Sequence, residues 1–299
     1  MDSGVKGGII VPFLLVTLIW GSTWIVIRDQ LALVPPSWSV CYRFTIAAVG
    51  MAVVARLSGA SFAIGRRGLA FAAMLGLAQF CLNFNFVYRA EAHITSGLVA
   101  LVFALLMVPN SLLAWLFFGE RVSRFFIAGS VVAIAGIALL FVHEYRAAPA
   151  NASAVMAGVG FTLCALVSAS SANVMQAAPI ARALPMTAVL AWAMAIGAAI
   201  DAVWAWITTG PPVVEPRLGY WLGTLYLGLA GSVVTFPLYF RLIQRIGAGR
   251  AAYTSVLIPV IAMAISTIVE GYRWTGLSLS GAALTMAGMV IALRAREKS

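Results

Sequence analysis

Charge is what this sequence has least of. Only 9% of its 299 residues are Asp, Glu, Lys or Arg, against 63% hydrophobic. A soluble domain carries about a quarter charged residues, because it needs a polar shell. The mean hydropathy of +1.01 points the same way. This composition excludes a water-soluble globule and makes lipid the solvent for most of the surface. Cysteine is also scarce. Cys41, Cys81 and Cys164 lie far apart in apolar stretches and form no Cys-x-x-Cys pair, which argues against a disulfide framework or a thiolate metal site. The two histidines, His93 and His143, are equally scattered. Neither a metal nor a cofactor is expected.

Nine acidic residues stand against 19 Lys and Arg, for a formal net charge of +10. In a soluble chain that excess would suggest a nucleic-acid partner. Here the basic residues fall in short gaps between apolar runs, and no basic patch is interleaved with aromatics, so membrane topology explains them. The expected surroundings are a lipid bilayer, and no nucleic acid is expected. An intramembrane enzyme would need paired carboxylates or a comparable cluster. Asp201, Glu120 and Glu270 stand at separate span ends, so no enzymatic chemistry is expected.

A helix crossing a hydrocarbon core of about 30 Å needs roughly 20 apolar residues. Candidate runs are Ile9–Ile27, Ser37–Leu57, Gly68–Tyr88, Ile94–Phe118 and Phe125–His143, then Ser153–Ala177, Pro185–Thr208, Gly219–Leu242, Ala248–Val269 and Thr275–Arg294. Turn chemistry marks the breaks, as at Val34-Pro35-Pro36-Ser37 and Gly210-Pro211-Pro212. The first run ends in Arg28 without a small-residue cleavage pattern, so it reads as a retained helix. Alternating the loops assigns Arg28, Arg89, Arg146, Arg217 and Arg273 to one side and leaves Arg43 inside the second span. The other thirteen of the 19 cations join the two termini. The positive-inside rule then puts both termini in the cytoplasm of a cell (inner) membrane protein.

The chain also repeats itself. Pro109 is followed by Glu120, Gly129 and Gly136. Pro259, Glu270, Gly281 and Gly288 follow at offsets of 150, 150, 152 and 152. Gly97 and Gly247 extend the match. Two units result, residues 1–146 and 147–299. Five helices per unit is an odd number, so the units cross the membrane in opposite senses, as in many secondary transporters. The expected fold is an all-α integral membrane protein, with ten transmembrane helices as two inverted five-helix repeats.

The segment Phe118-Gly119-Glu120-Arg121 leading to Gly129 and Gly136 resembles the EamA family of the drug/metabolite transporter superfamily. So do Trp20-Gly21-Ser22-Thr23-Trp24 in the first span and Tyr42-Arg43-Phe44 followed by Ala47-Ala48 in the second. The resemblance covers essentially the whole chain, and the layout looks closest to YddG-type amino-acid exporters. The family's Gly-before-Glu pattern is missing at Glu270, so the second unit is more degenerate. The resemblance implies a secondary, non-ATP-driven exporter of small metabolites, amino acids and aromatic ones included. It also implies a cavity lined by the first, third, fourth, sixth, eighth and ninth helices. The alternative is an exporter of aromatic or cationic drugs.

Polar residues concentrate on those helices. Gln79 and Asn83 share a face of the third, Ser96, Phe103 and Asn110 one of the fourth. Cys164, Ser168, Ser171 and Met175 form a stripe on the sixth, Ser232, Thr235 and Tyr239 another on the eighth. The first span offers Trp20, Ser22 and Trp24. Tyr88, Tyr253 and Phe86 add aromatic surface. Any single one is equally well explained as interhelical glue worth about 0.6 kcal/mol. The substrate-contacting set expected from the clustering is Trp20, Ser22, Trp24, Gln79, Asn83, Phe86, Phe103, Asn110, Ser168, Ser171, Ser232, Thr235, Tyr239 and Tyr253. A cavity of this kind without net charge suits a zwitterion or an aromatic metabolite, not a phosphorylated one.

Pro109 and Pro259 interrupt matching helices and free the carbonyls of Leu105 and Ser255, as static kinks or as hinges. Their duplication favours hinges. Arg43 costs about 2.5–3.5 kcal/mol if it sits at the bilayer centre. Snorkelling, pairing with Asp29 or contact with a substrate carboxylate would offset that. No acidic residue reads as deep, so transport is expected to run down the substrate's own gradient or to couple to protons weakly. A monomer suffices, and the Gly129, Ala133, Gly136 ridge packs within the chain or against another copy.

Overall fold

The computed structural model describes residues 3–119, 122–147, 152–242 and 254–296, and the side chains of 10–119, 122–146, 152–242 and 254–292. All regular structure among them is helical. The first half contains α1 (Ser3–Asp29), α2 (Pro36–Leu57), α3 (Gly65–Glu91), α4 (Ser96–Phe118) and α5 (Arg124–Ala147). The second contains α6 (Ala152–Ala177), α7 (Met186–Thr209), α8 (Leu218–Leu242), α9 (Thr254–Val269) and α10 (Gly276–Arg296). One short turn of helix, Pro179–Ala183, precedes α7. From α1 to α8, each helix is long and apolar enough to cross a membrane, whereas α9 and the apolar part of α10 are shorter. The ninth candidate run, Ala248–Val269, is helical from Thr254, and its first residues lie outside the described ones.

Local chemistry sets several ends. Pro36 opens α2 at a position where its fixed φ helps and its missing N–H costs nothing. Gly119, at φ 69°, closes α4 in the left-handed region that favours glycine. Three helices depart from α geometry. A π-helical stretch, Gly76–Asn83, interrupts α3, and Leu229–Val234 does the same in α8. In the latter, the Ser232 hydroxyl donates to the Leu227 carbonyl five residues back. Before Pro109, α4 tightens to a 3-10 turn at Ala104–Leu106.

Contacts between the halves come in exchanged pairs. Within the bundle α5 lies on α10, α2 on α7 and α4 on α9. Contact of α1 with α9 is matched by contact of α6 with α4, and contact of α3 with α6 and α7 by contact of α8 with α1 and α2. The α5–α10 seam is a close one. A Cβ added at Gly129 would stand 2.6 Å from the Gly288 carbonyl oxygen, and one at Gly136 2.5 Å from that of Gly281. Rising numbers on α5 meet falling numbers on α10, so the two helices run antiparallel. The Gly129–Gly136 ridge therefore packs within the chain, where absent side chains let two backbones approach.

Two large buried apolar clusters result, beside a smaller third around Trp38, Cys41 and Tyr220. One is built around Phe44, Phe80, Tyr88 and Phe236, the other around Leu98, Leu101, Val256 and Met289. Trp24 and Phe103 pack against both.

Candidate substrate cavity

Between the clusters lies a cavity of about 150 Å³. A cavity of that order accommodates a ring the size of benzene. Its wall draws on α1 (Trp20, Thr23, Trp24, Ile27), α3 (Gln79, Asn83, Phe84, Val87), α4 (Ala100, Phe103, Ala104, Leu106) and α6 (Ala169, Asn173). The rest comes from α8 (Phe236, Tyr239, Phe240), α9 (Thr254, Ser255, Ile258, Pro259) and Arg43 of α2. These are the six expected helices plus one residue from a seventh. The α3 contribution depends on the π-helical stretch, which holds Gln79 and Asn83; such wide turns recur at functional sites because they re-aim side chains.

Aromatic contacts stiffen the wall. Trp20 packs on Tyr239 with ring centroids 5.1 Å apart and edge-on to Phe236 at 5.5 Å, and its indole N–H donates to the Gly231 carbonyl at 3.1 Å. Trp24 packs on Phe103 at 5.2 Å. Four polar atoms of the wall find no hydrogen-bond partner among the described residues: Arg43 Nε and Nη1, Trp24 Nε1 and Asn83 Oδ1.

Arg43 departs from expectation. Its guanidinium lies 4.2 Å from the Phe84 ring centroid and 5.1 Å from that of Phe44, and its side chain is almost wholly buried. It does not snorkel outward to Asp29. Asp29 pairs instead with Arg217, 3.2 Å away. The expectation of a cavity without net charge is corrected too, because Arg43 puts one cation in a wall that carries no carboxylate among the described residues.

A packed polar layer lies beyond Ile27 and Val87. Arg28 donates to the Glu91 carbonyl and its Nε stands 3.6 Å from Glu270 Oε1. Glu270 accepts from the Ser96 hydroxyl at 2.5 Å and from its N–H at 3.3 Å. Gln30 donates to Thr224 and accepts from Tyr88, both at 2.7 Å. Nearby, burial and the Glu144 carboxylate push the Tyr272 hydroxyl up to about 12, so it stays neutral at physiological pH. At the other end the wall reaches Thr254 and Ser255, where α9 begins.

Two acidic residues that sequence leaves at span ends are enclosed by the protein. Glu91 and Asp201 are both fully buried. Asp201 accepts a 2.7 Å hydrogen bond from the Asn85 amide, whose oxygen accepts from Ser37 at 2.7 Å and Arg89 at 2.8 Å. In sequence, Asp201 and Glu91 stand near span ends and look solvated. The burial comes from partners on other helices.

Of the expected site residues, Trp20, Trp24, Gln79, Asn83, Phe103, Tyr239, Pro259 and Arg43 are brought together in the wall. The others are not. Ser22 bonds Tyr226 at 2.7 Å, and Phe86 stacks on Phe161. Ser168 and Ser171 bond their own helix at Cys164 and Val167, because α6 turns its Ala169–Asn173 face inward instead. Asn110 sits behind the wall, 3.5 Å from Asn173. Ser232 supports Arg43 from 3.5 Å, and Thr235 bonds the Gly231 carbonyl. Pro109 lies outside the lining, and Tyr253 and Glu120 lie outside the described residues. Asn173 and Thr254 escape the sequence reading, because a tally by polar stripes hides a lone amide on an otherwise apolar face; Ser255 enters it only through the carbonyl freed by Pro259.

The sequence pattern of the EamA-like transporter family matches residues 7–142 and again 156–294. The chain belongs to the EamA-like transporter family. As an EamA-like protein it is a multi-pass membrane transporter, consistent with its apolar helices. It is similar to Protein PagO of Salmonella typhimurium, with 28% identity over 89% of this chain and 86% of that protein. A probable amino-acid metabolite efflux pump of the same organism is 27% identical over 93% of this chain and 92% of its own. A probable terminal-alkyne amino-acid exporter of Streptantibioticus cattleyicolor is 26% identical over 83% and 81%. One solved crystal structure aligns at a TM-score of 0.70 with 20% identity, covering 98% of this chain and 99% of the other. That likeness carries the fold alone.

Proposed function

We propose that this EamA-like transporter is a secondary exporter of amino acids, aromatic ones included, that works by alternating access without ATP. The cavity carries the reading. It lies between the two halves, is walled by rings, and its lining residues include donors and an acceptor without a partner among the described residues. A small amphipathic solute answers that chemistry better than lipid does. Two relatives whose names specify amino-acid export support the substrate class.

In this reading the ten helices span the bilayer as two inverted five-helix units, residues 1–146 and 147–299. The termini are cytoplasmic and the membrane is the cell (inner) membrane. The exchanged helix contacts and the crossed Gly129–Gly288 and Gly136–Gly281 pairs support a two-fold relation between the units. Trp20, Trp24, Gln79, Asn83, Phe103 and Tyr239 contact substrate, and Pro109 and Pro259 serve as hinges. The Arg28–Glu91–Ser96–Glu270 layer closes the outer end, while the wall continues towards the cytoplasmic end at Thr254. A single chain encloses the cavity, so a monomer suffices. The buried cation weighs against the alternative of cationic drugs.

The test is counterflow in liposomes. Protein-containing vesicles loaded with unlabelled phenylalanine accumulate labelled phenylalanine transiently, and protein-free vesicles do not. Absence of counterflow across all the neutral amino acids rejects the reading.

A further inference from the structure

Arg43 is the one wall residue contributed by α2, and two of its three guanidinium nitrogens, Nε and Nη1, find no partner among the described residues. A guanidinium offers five N–H groups in a fixed fork. Here Nη2 makes a long contact with the Ser232 hydroxyl at 3.5 Å. The Tyr88 hydroxyl also makes a hydrogen-bonding contact to the group and Glu91 stands close enough to feel its charge, yet Nε and Nη1 find no partner among the described residues. The rings of Phe84 and Phe44 hold the plane of the group in place without consuming a hydrogen. A buried, ring-held cation with free donors is arranged to receive a planar anion, and a carboxylate matches the fork in two places.

Resting on the amino-acid reading above, we propose that Arg43 anchors the substrate's carboxylate and so sets the substrate class. That class is carboxylic acids with an uncharged, flat or compact side chain. Two neighbours complete the pattern. The Trp24 indole N–H is a second unpaired donor, and Asn83 Oδ1 is an unpaired acceptor suited to an ammonium group. With no carboxylate in the wall, a side-chain cation on the substrate finds no partner and meets Arg43 as a like charge. Amines without a carboxylate, and the side chains of lysine and arginine, are selected against.

The experiment is a binding series on detergent-purified full-length protein, read as thermal stabilisation against ligand concentration. The probes are phenylalanine, its amide, phenethylamine and hydrocinnamate, which keep one ring and vary the two charged groups. Phenylalanine and hydrocinnamate are expected to bind at least about tenfold more tightly than the amide and the amine. Arg43→Gln removes that preference by weakening the acids to the level of the amide while leaving the amide unchanged. If the variant fails to fold, the wild-type series decides alone. Hydrocinnamate binding without phenylalanine binding keeps the anchor and sinks the amino-acid reading. Phenethylamine binding as tightly as phenylalanine, an unchanged phenylalanine affinity in Arg43→Gln, or no binding by any of the four overturns the proposal.

Discussion

The Ser96 hydroxyl donates a 2.5 Å hydrogen bond to Oε2 of Glu270, tying the first residue of α4 to the residue that follows α9. The two helices occupy the same place in the two halves, and Arg28 from α1 leans on the same carboxylate. A contact of this kind can hold one end of a cavity shut and release it. A hydrogen bond to a charged group is worth about 1.5–3 kcal/mol.

If it holds the outer end shut, Ser96→Ala and Glu270→Gln move the opening equilibrium by roughly tenfold. A cysteine at Ala100, in the cavity wall, then reacts faster with an impermeant maleimide added from the side of the α3–α4 loop. Equal labelling rates in variant and parent would remove Ser96 and Glu270 from any closing role.

The direction of the two halves is open to a simple measurement. Ser61, after α2, and Thr208, at the end of α7, are both exposed and belong to corresponding helices. With Cys41, Cys81 and Cys164 replaced, single cysteines there should label from opposite faces of the membrane. Parallel repeats would put both on one face.

The α5–α10 seam predicts a sharp size limit. Gly129→Val and Gly136→Val place carbons where backbone atoms of α10 already stand within 2.6 Å of a Cβ position. Overpacking of this sort costs about 1–3 kcal/mol, which thermal unfolding in detergent reads as a lower midpoint. Gly160→Ala, with nothing within 4 Å, should leave the midpoint unchanged or raise it slightly.

Asp201 separates charge from hydrogen bonding. Asp201→Ala strands Asn85 and Arg89 and is expected to cost about 3–5 kcal/mol, the usual penalty for breaking a buried polar pair. Asp201→Asn keeps an acceptor for Asn85 and should lose much less. Identical losses for both would mean that the charge, and not the hydrogen bond, holds the network.

Most of the framework was legible in the residues. Long apolar runs broken by Pro35-Pro36 or Gly210-Pro211 specify helices in lipid, because no other structure satisfies every backbone group there. The echo of Pro109 and Gly129 at offsets of 150 and 152 points to two units, and the family pattern matches the chain twice. Trp20, Trp24, Gln79, Asn83 and Phe103 follow from their helix faces once the family resemblance says which helices line the cavity.

What the residues could not say concerned register and partners across the bundle. Helical spacing fixes which side chains share a face but not which face turns inward, so Ser168 and Ser171 were chosen on α6 where Asn173 reaches the wall. The π turn in α3 cannot be read from a 3.6-residue period. Above all, the surroundings of a charge are assembled from distant segments. Arg43, Glu91 and Asp201 acquire their burial from helices up to 189 positions away, as the Arg43–Ser232 contact shows. Sequence alone settled that this chain is a bundle of lipid-embedded helices built twice over, since apolar length and repetition are local properties. Only the tertiary structure decided that a buried guanidinium lines the cavity with two nitrogens unpartnered among the described residues, because burial and hydrogen-bond supply depend on which helices meet.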